Sequence, residues 1–134
     1  MLCLLNRERV RRHLAPLRRD RRLAIAARSH SRAMVARGVF SHDGPFGDVV
    51  ARLRRAGYIR GGGGWAVGEN IAWGGGLLAT PASIMRGWMG SPGHRANMLS
   101  PSFRDVGVGV ALGAPGTGGG GATYTQDFGV RSRR

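Results

Sequence analysis

An α+β domain is the fold class this sequence predicts, and three observations carry that prediction. Through the first hundred residues, apolar side chains recur at helical spacing between recognisable helix-start and helix-stop signals. The period then falls to two: Val106, Val108, Val110 and Leu112 alternate with Gly107, Gly109 and Ala111, a strand with one face almost bare of side chains. Beyond a glycine-rich connection at 114–121, Tyr124, Gln126 and Phe128 alternate with Thr123, Thr125 and Asp127, which predicts an antiparallel hairpin.

The elements follow in order. Residues 2–14 read as a first helix through Leu2, Leu5, Val10 and Leu14, broken at Ala15-Pro16-Leu17. A second helix, 20–37, is the clearest: Leu23, Ala26, Ala27, His30, Ala33 and Met34 share one face, and Arg21, Arg28 and Arg32 line the other. Asp20 fits its N-cap and Gly38 its stop. His30, in the middle of the apolar face, is expected to be a packed histidine with one hydrogen bond, and His13 an exposed one. A third helix is expected over 46–56, with Val49, Val50, Leu53 and Ala56 inward. Gly61 to Gly64 form a loop that lacks the strand-before, helix-after setting of a dinucleotide cradle. Val67 to Trp73 is a short apolar stretch around Glu69. Thr80-Pro81 pairs a hydroxyl N-cap with proline at the first helical position and opens a fourth helix running to Met89. Ser91-Pro92 repeats that signal before a short helix containing His94, Asn97 and Leu99.

At 134 residues and 42% apolar content, the chain fits a single domain, 1–134, with a packed core. The formal net charge is +14, and all 21 basic residues are arginine. Most are scattered from Arg7 to Arg60, with a small cluster at Arg131, Arg133 and Arg134. Such a charge suits an anionic partner, but no nucleic-acid motif accompanies it, and arginines on solvated faces are the favoured reading. Cys3 is the single cysteine, so an internal disulfide is excluded. Met1 to Leu5 is apolar but runs directly into Asn6-Arg7-Glu8-Arg9, which is not the layout of a signal peptide. No apolar run approaches the roughly 20 residues of a membrane span.

Three separated segments carry candidate chemistry: Phe40-Ser41-His42, Gly68-Glu69-Asn70-Ile71, and Ser91-Pro92-Gly93-His94-Arg95. His94 falls in the first turn of its helix, where the dipole disfavours an imidazolium by a few tenths to about 1 kcal/mol, leaving the neutral ring that ligates metal or accepts a proton. Glu69 places a carboxylate among Val67, Ile71, Ala72 and Trp73, and a charge in such company requires a partner. Structural alternatives stand beside each: a solvated loop residue for His42, an arginine pair or a helix cap for Glu69, and a backbone hydrogen bond for His94. The histidines lack the short spacing of a zinc motif.

These segments, in this order, together with Gly57-Tyr58, Trp88-Met89, Asn97, Val106-Gly107-Val108-Gly109 and Tyr124-Thr125-Gln126-Asp127-Phe128-Gly129, resemble the bacterial form of the CAP superfamily, the SCP-like extracellular domain. The likeness covers essentially the whole chain. It implies a three-layer α-β-α sandwich with a central antiparallel sheet, more strands than the hairpin alone, and an extracellular or cell-surface location. It also implies a groove where two His and two Glu converge in many members. His42, Glu69 and His94 match three of those positions, and Ser91 stands where the second Glu is usual.

The functional expectation is a non-catalytic binding module. Its groove holds Zn²⁺ or another divalent cation at His42 and His94, with Asn70, Ser91 and Arg95 as supporting residues, on a cationic body that attaches to an anionic cell-surface polymer or takes a small ligand. The alternative is a metal-assisted hydrolase, protease-like or cell-wall-directed, with Glu69 as catalytic base. Binding of a lipid or sterol is the third class; its apolar candidates, Met1 to Leu5 and Trp65, read better as core.

Overall fold

Residues 1–117 and 119–132 are described by a computed structural model. Its helices are α1 (Leu2–Val10), α2 (Arg21–Arg37), α3 (Val49–Arg55), α4 (Pro81–Met89) and α5 (Pro92–Leu99). The strands are β1 (Arg18–Arg19), β2 (Trp65–Gly74), β3 (Asp105–Leu112) and β4 (Ala122–Arg131), and a 3₁₀ turn spans Gly76–Ala79. Arg133 and Arg134, part of the expected C-terminal arginine cluster, lie outside the described residues.

The sheet runs β1-β3-β4-β2. Strands β3 and β4 form the expected antiparallel hairpin, from Asp105 opposite Gly129 to Leu112 opposite Ala122. The apolar stretch around Glu69 is a strand of 10 residues, paired antiparallel with β4 from Trp65–Arg131 to Gly74–Ala122. The one parallel pairing is β1 on β3, through Arg18–Asp105 and Arg19–Val106. Two arginines carry no strand pattern; the ladder is fixed by backbone bonds, Arg18 N–H to Arg104 O and Asp20 N–H to Val106 O, with the Arg18 side chain reaching Asp105.

Local chemistry explains the helix ends. Asp20 Oδ1 accepts from the backbone N–H groups of Arg22 (2.7 Å) and Leu23 (3.3 Å), and Gly38 closes α2 at φ +64°. The Thr80 hydroxyl caps α4 by accepting from Ser83 N–H at 3.2 Å. Helix α3 begins at Val49 rather than 46, because the Asp48 carboxylate accepts from Ala51 N–H at 2.9 Å and fixes the start there. Helix α1 ends at Val10 rather than 14, as the chain tightens through Arg12 N–H to Arg9 O and turns over at His13, φ +58°.

Each face of the sheet is covered by helices. Helix α2 packs on β3 and β4, and the bare face of β3 is what admits it. A Cβ on Gly107 would fall 2.1 Å from the backbone nitrogen of Ala24, and one on Gly109 would fall 2.0 Å from that of Arg28. Leu23, Ala26, Leu53, Tyr58 and Ile59 form the apolar cluster of this layer. On the opposite face, Leu5, Ile84, Trp88, Met98, Tyr124 and Phe128 join α1, α4 and α5 to the sheet. The result is the α-β-α sandwich.

Two expectations are corrected. Arginines are not confined to solvated faces: Arg9 and Arg52 are buried. The Arg9 guanidinium donates to the carbonyls of Ala15 (2.8 Å), Met98 (2.8 Å) and Ser100 (2.9 Å), tying α1 to the end of α5. Trp65 is not core. It is 37% exposed, with the Arg54 guanidinium 5.8 Å from its ring centre. Among the described residues, no helix is long and apolar enough to cross a membrane.

Candidate functional site

Glu69 lies midway along β2, directly opposite Asp127 of β4 in the strand register. His42 lies in the turn that follows α2, and that turn is fastened from below. The buried His30 donates its Nε2–H to Ser41 O at 2.8 Å, and Arg52 Nη1 donates to His42 O (2.7 Å) and Gly47 O (2.8 Å). Held in this way, His42 donates Nδ1–H to Glu69 Oε1 at 2.9 Å. The second Glu69 oxygen is taken by Arg52 Nη2.

These contacts set the protonation states. Burial alone would push the Glu69 carboxyl up. The Asp127 carboxyl, the Arg52 charge and His42 outweigh burial and hold it below its ordinary range, so Glu69 is a carboxylate. Asp127 is enclosed, and neither of its oxygens has a hydrogen bond of good geometry. Burial first, and then the charge of Glu69, hold it well above the usual carboxyl range. That direction favours the neutral acid at the position opposite Glu69. Burial also keeps His30 neutral, helped by the Arg52 charge.

His94 arrives from the other layer, on α5. Its Nδ1 and the Ser91 hydroxyl are 2.7 Å apart, and its ring stacks on Trp88 with centroids 6.5 Å apart. Ser91 thus opens α5 without capping its backbone, since its hydroxyl serves the imidazole. Burial is the main cause lowering the His94 pKa, with nearby His42 second. Asn70 supports α5 from the sheet, donating to His94 O at 3.0 Å and accepting from Asn97 Nδ2 at 2.9 Å. Arg95 is the exception among the expected groove residues. One helical step from His94, it faces the cleft between α1 and α4 beside Arg7 and Met89.

The metal expectation meets an incomplete donor set. His42 and His94 each commit Nδ1, which leaves one Nε2 apiece. Both Glu69 oxygens are engaged, and a guanidinium stands beside them. Among the described residues, no group of three or more His, Cys, Asp or Glu is placed to hold an ion. Protein zinc sites use three or four such ligands, so the residues present do not fit a resident metal.

Beside His94 the surface opens into an apolar groove of about 380 Å³, bounded by Phe40, Trp73, Leu78, Ile84 and Ser91. Phe40 and Trp73 are 45% and 44% exposed, and Leu78 is 69% exposed, high values for large apolar side chains. The chief residues the sequence reading missed are Arg52 and Asp127. Both carried a signal: Arg52 lies three positions after Val49 on the inward face of α3, and Asp127 shares its strand face with Thr123 and Thr125.

A helix-flanked sheet of this order, with a His–Glu cluster at the end of α2 and a histidine on α5, defines an SCP-like domain. The family model described as the cysteine-rich secretory protein family (CAP) matches residues 2–128. The chain belongs to the CAP family. It is 34% identical over 126 residues to the protein YkwD of Bacillus subtilis, covering 93% of this chain and 44% of that protein. An extracellular protein of Bacillus anthracis with an SCP domain has a similar solved structure, TM-score 0.77 at 35% identity, over 93% of this chain and 37% of that one. An outer surface protein of Borrelia burgdorferi shares the fold, with TM-score 0.78 at 17% identity over 98% of this chain and 90% of that one. The chain spans less than half the length of the Bacillus relatives it matches.

Proposed function

We propose that this domain is a non-catalytic binding module acting outside the cell, whose groove beside His94 receives the apolar part of a small ligand. The observation that carries this reading is the state of Glu69. A general base works best with a pKa raised towards the working pH. Here both carboxylate oxygens are engaged, by His42 and Arg52, and the pKa is lowered rather than raised. The cluster is built as a clamp that holds the turn after α2 onto β2, and so positions Phe40 at the rim of the groove. Two Bacillus and Borrelia relatives, described as an extracellular and an outer surface protein, support the location.

The groove's apolar walls favour a lipid-like or aromatic group over a sugar, with His94 Nε2 left to hydrogen-bond a polar end. Titration with the uncharged dye Nile red tests this. Micromolar binding is expected, lost in the Trp73→Ala/Leu78→Ser double variant and kept in Arg32→Ala; no binding by the wild type retires the reading. Calorimetry with Zn²⁺ is expected to show no ion held tightly, with any weak heat abolished in His42→Ala/His94→Ala. Peptide or peptidoglycan turnover that disappears in a folded Glu69→Gln variant would restore the hydrolase.

A further inference from the structure

A cavity of about 590 Å³ lies away from the His–Glu cluster, at the end of the sheet where β2 begins and β4 ends. Its parts are far apart in the sequence: a glycine loop at 61–64, Trp65, and arginines at 18, 60 and 131. The structure brings them together. Trp65 and Arg131 are register partners on adjacent strands, and both line the cavity. Arg131 lies 4.2 Å over the Tyr58 ring, donates to Tyr58 O at 3.2 Å, and approaches Asp20 at 3.6 Å. Tyr58 is wedged in place because Gly129 has no side chain, and its hydroxyl donates to Asp105 at 2.8 Å. Arg18 reaches the same carboxylate at 3.3 Å while remaining 69% exposed.

Arg60 completes the wall. Its guanidinium folds over the bare Cα of Gly57, where a Cβ would meet Nη2 at 2.8 Å. No ion pair engages it among the described residues. The cavity therefore offers one uncommitted guanidinium, two more whose partners leave donors free, an exposed indole, and a carboxylate able to accept from a hydroxyl.

We infer that this cavity binds an anionic saccharide. The acidic group goes to Arg60, the C–H face of the sugar lies against Trp65, and ring hydroxyls reach Asp105 and the flanking guanidinium groups. Planar guanidinium forks match carboxylate and phosphate oxygens. The mixture of donors and acceptors separates a sugar from a polyphosphate chain. Single-stranded nucleic acid is held by several aromatic platforms in a row, whereas among the described residues Trp65 is the one aromatic side chain exposed in this cavity. The surplus of positive charge on the whole chain strengthens capture at low salt. The site is independent of the groove beside His94 and does not depend on what that groove binds.

The test is calorimetric titration with trigalacturonate, with maltotriose 6-phosphate and with neutral maltotriose. Binding of either acidic sugar at least about ten-fold tighter than the neutral one is expected, and the better of the two identifies carboxylate or phosphate as the natural anion. Arg60→Gln and Trp65→Ala should each weaken that binding by about five-fold or more, while Arg32→Ala, which removes the same charge from the solvent face of α2, should change it less than about two-fold. Trp65 is on the surface of an edge strand, and an unchanged unfolding midpoint confirms that its variant is folded. Equal losses in Arg32→Ala and Arg60→Gln would reduce the effect to bulk charge and overturn the site. So would equal binding of the neutral sugar, no binding of either acid, or tighter binding of oligothymidylate than of both sugars.

Discussion

The two faces of the sheet are built on opposite principles. Under α1, α4 and α5 the interior is mainly apolar, with Trp88, Tyr124 and Phe128 filling the layer and Asn70 and Gln126 as its buried polar members. Under α2 the apolar cluster around Leu23 and Leu53 adjoins a polar, close-set strip. Glu69 and Asp127 face each other across the strands, Ser31 Oγ lies 2.8 Å from Thr125 Oγ1 and donates to Gly109 O at 3.0 Å, and glycines replace side chains where the helix backbone comes down. The apolar face draws its stability from burial, roughly proportional to area and tolerant of detail. The polar face depends on every group finding its partner, so an error there costs more. The residues of the candidate clamp belong to the second face, and their rigidity follows from that placement.

The sharpest way to break the contrast is to restore a side chain beneath α2. Gly109→Ala places a methyl carbon 2.0 Å from the Arg28 backbone nitrogen, a position nothing can occupy unless the helix lifts. A loss of more than about 4 kcal/mol is expected, enough to unfold a domain of ordinary stability. The matched change on the other layer is Gly87→Ala in α4, where an added Cβ meets nothing within 4 Å. That variant should gain about 0.5–1 kcal/mol from helix propensity. Urea unfolding of the pair measures both, and an equal response would show that α2 is not locked by its glycines.

Next in size is the buried ion pair. Glu69→Gln leaves the Arg52 guanidinium, 3% exposed, without its carboxylate, and about 3–5 kcal/mol should be lost. Phe128→Ala on the apolar face costs a similar amount, about 3–5 kcal/mol, by leaving a cavity. The distinction lies in rescue. Adding Arg52→Met to Glu69→Gln removes the orphaned charge, so the double variant should be more stable than Glu69→Gln alone. A double variant weaker than Glu69→Gln would mean that Arg52 acts mainly through the turn carbonyls of His42 and Gly47.

What was legible in the sequence divides along the same line. The bounds of α2 and α4, the hairpin, and the inward faces of both could be read because each is set by local signals: a cap, a proline, a glycine, a period. His30 was correctly read as a packed histidine with one hydrogen bond because it falls on a clear apolar stripe. The two-residue β1, the burial of Arg9, and the joining of Arg52 and Asp127 to Glu69 depend on contacts between residues far apart in the chain. Among 21 arginines, composition does not single out the two that are buried, Arg9 and Arg52. The bare face of β3 was visible, but only the approach of α2 explains it. The resemblance supplied the sandwich and drew His42, Glu69 and His94 towards one region, yet it left open whether Glu69 was free to react. That depended on Arg52, whose place on the inward face of α3 hints at burial but does not name its partner.

The smallest expected effect separates the two faces by pH. His30 is buried beneath α2, and desolvation, aided by Arg52, lowers its pKa in the folded state; Glu69 and the Ser41 carbonyl oppose this without overcoming it. An unfolded histidine titrates near 6.5, so below that pH the unfolded chain binds a proton that the folded chain refuses. The contribution is therefore fully present above about pH 6.5 and is lost as pH falls towards the lowered folded-state pKa, with a slope approaching about 1.4 kcal/mol per pH unit. His94, lowered by burial and by His42, adds in the same direction. Glu69 contributes in the same sense only lower down, below the ordinary carboxyl range, while Asp127, raised in the fold, opposes it from about pH 4 upward. His30→Gln keeps a side chain that can donate to Ser41 O but cannot be protonated. Unfolding of this variant should show a flatter dependence between pH 6.5 and 5 than the wild type. Identical slopes in wild type and His30→Gln would place the pH response outside the α2 face and remove His30 from its polar network.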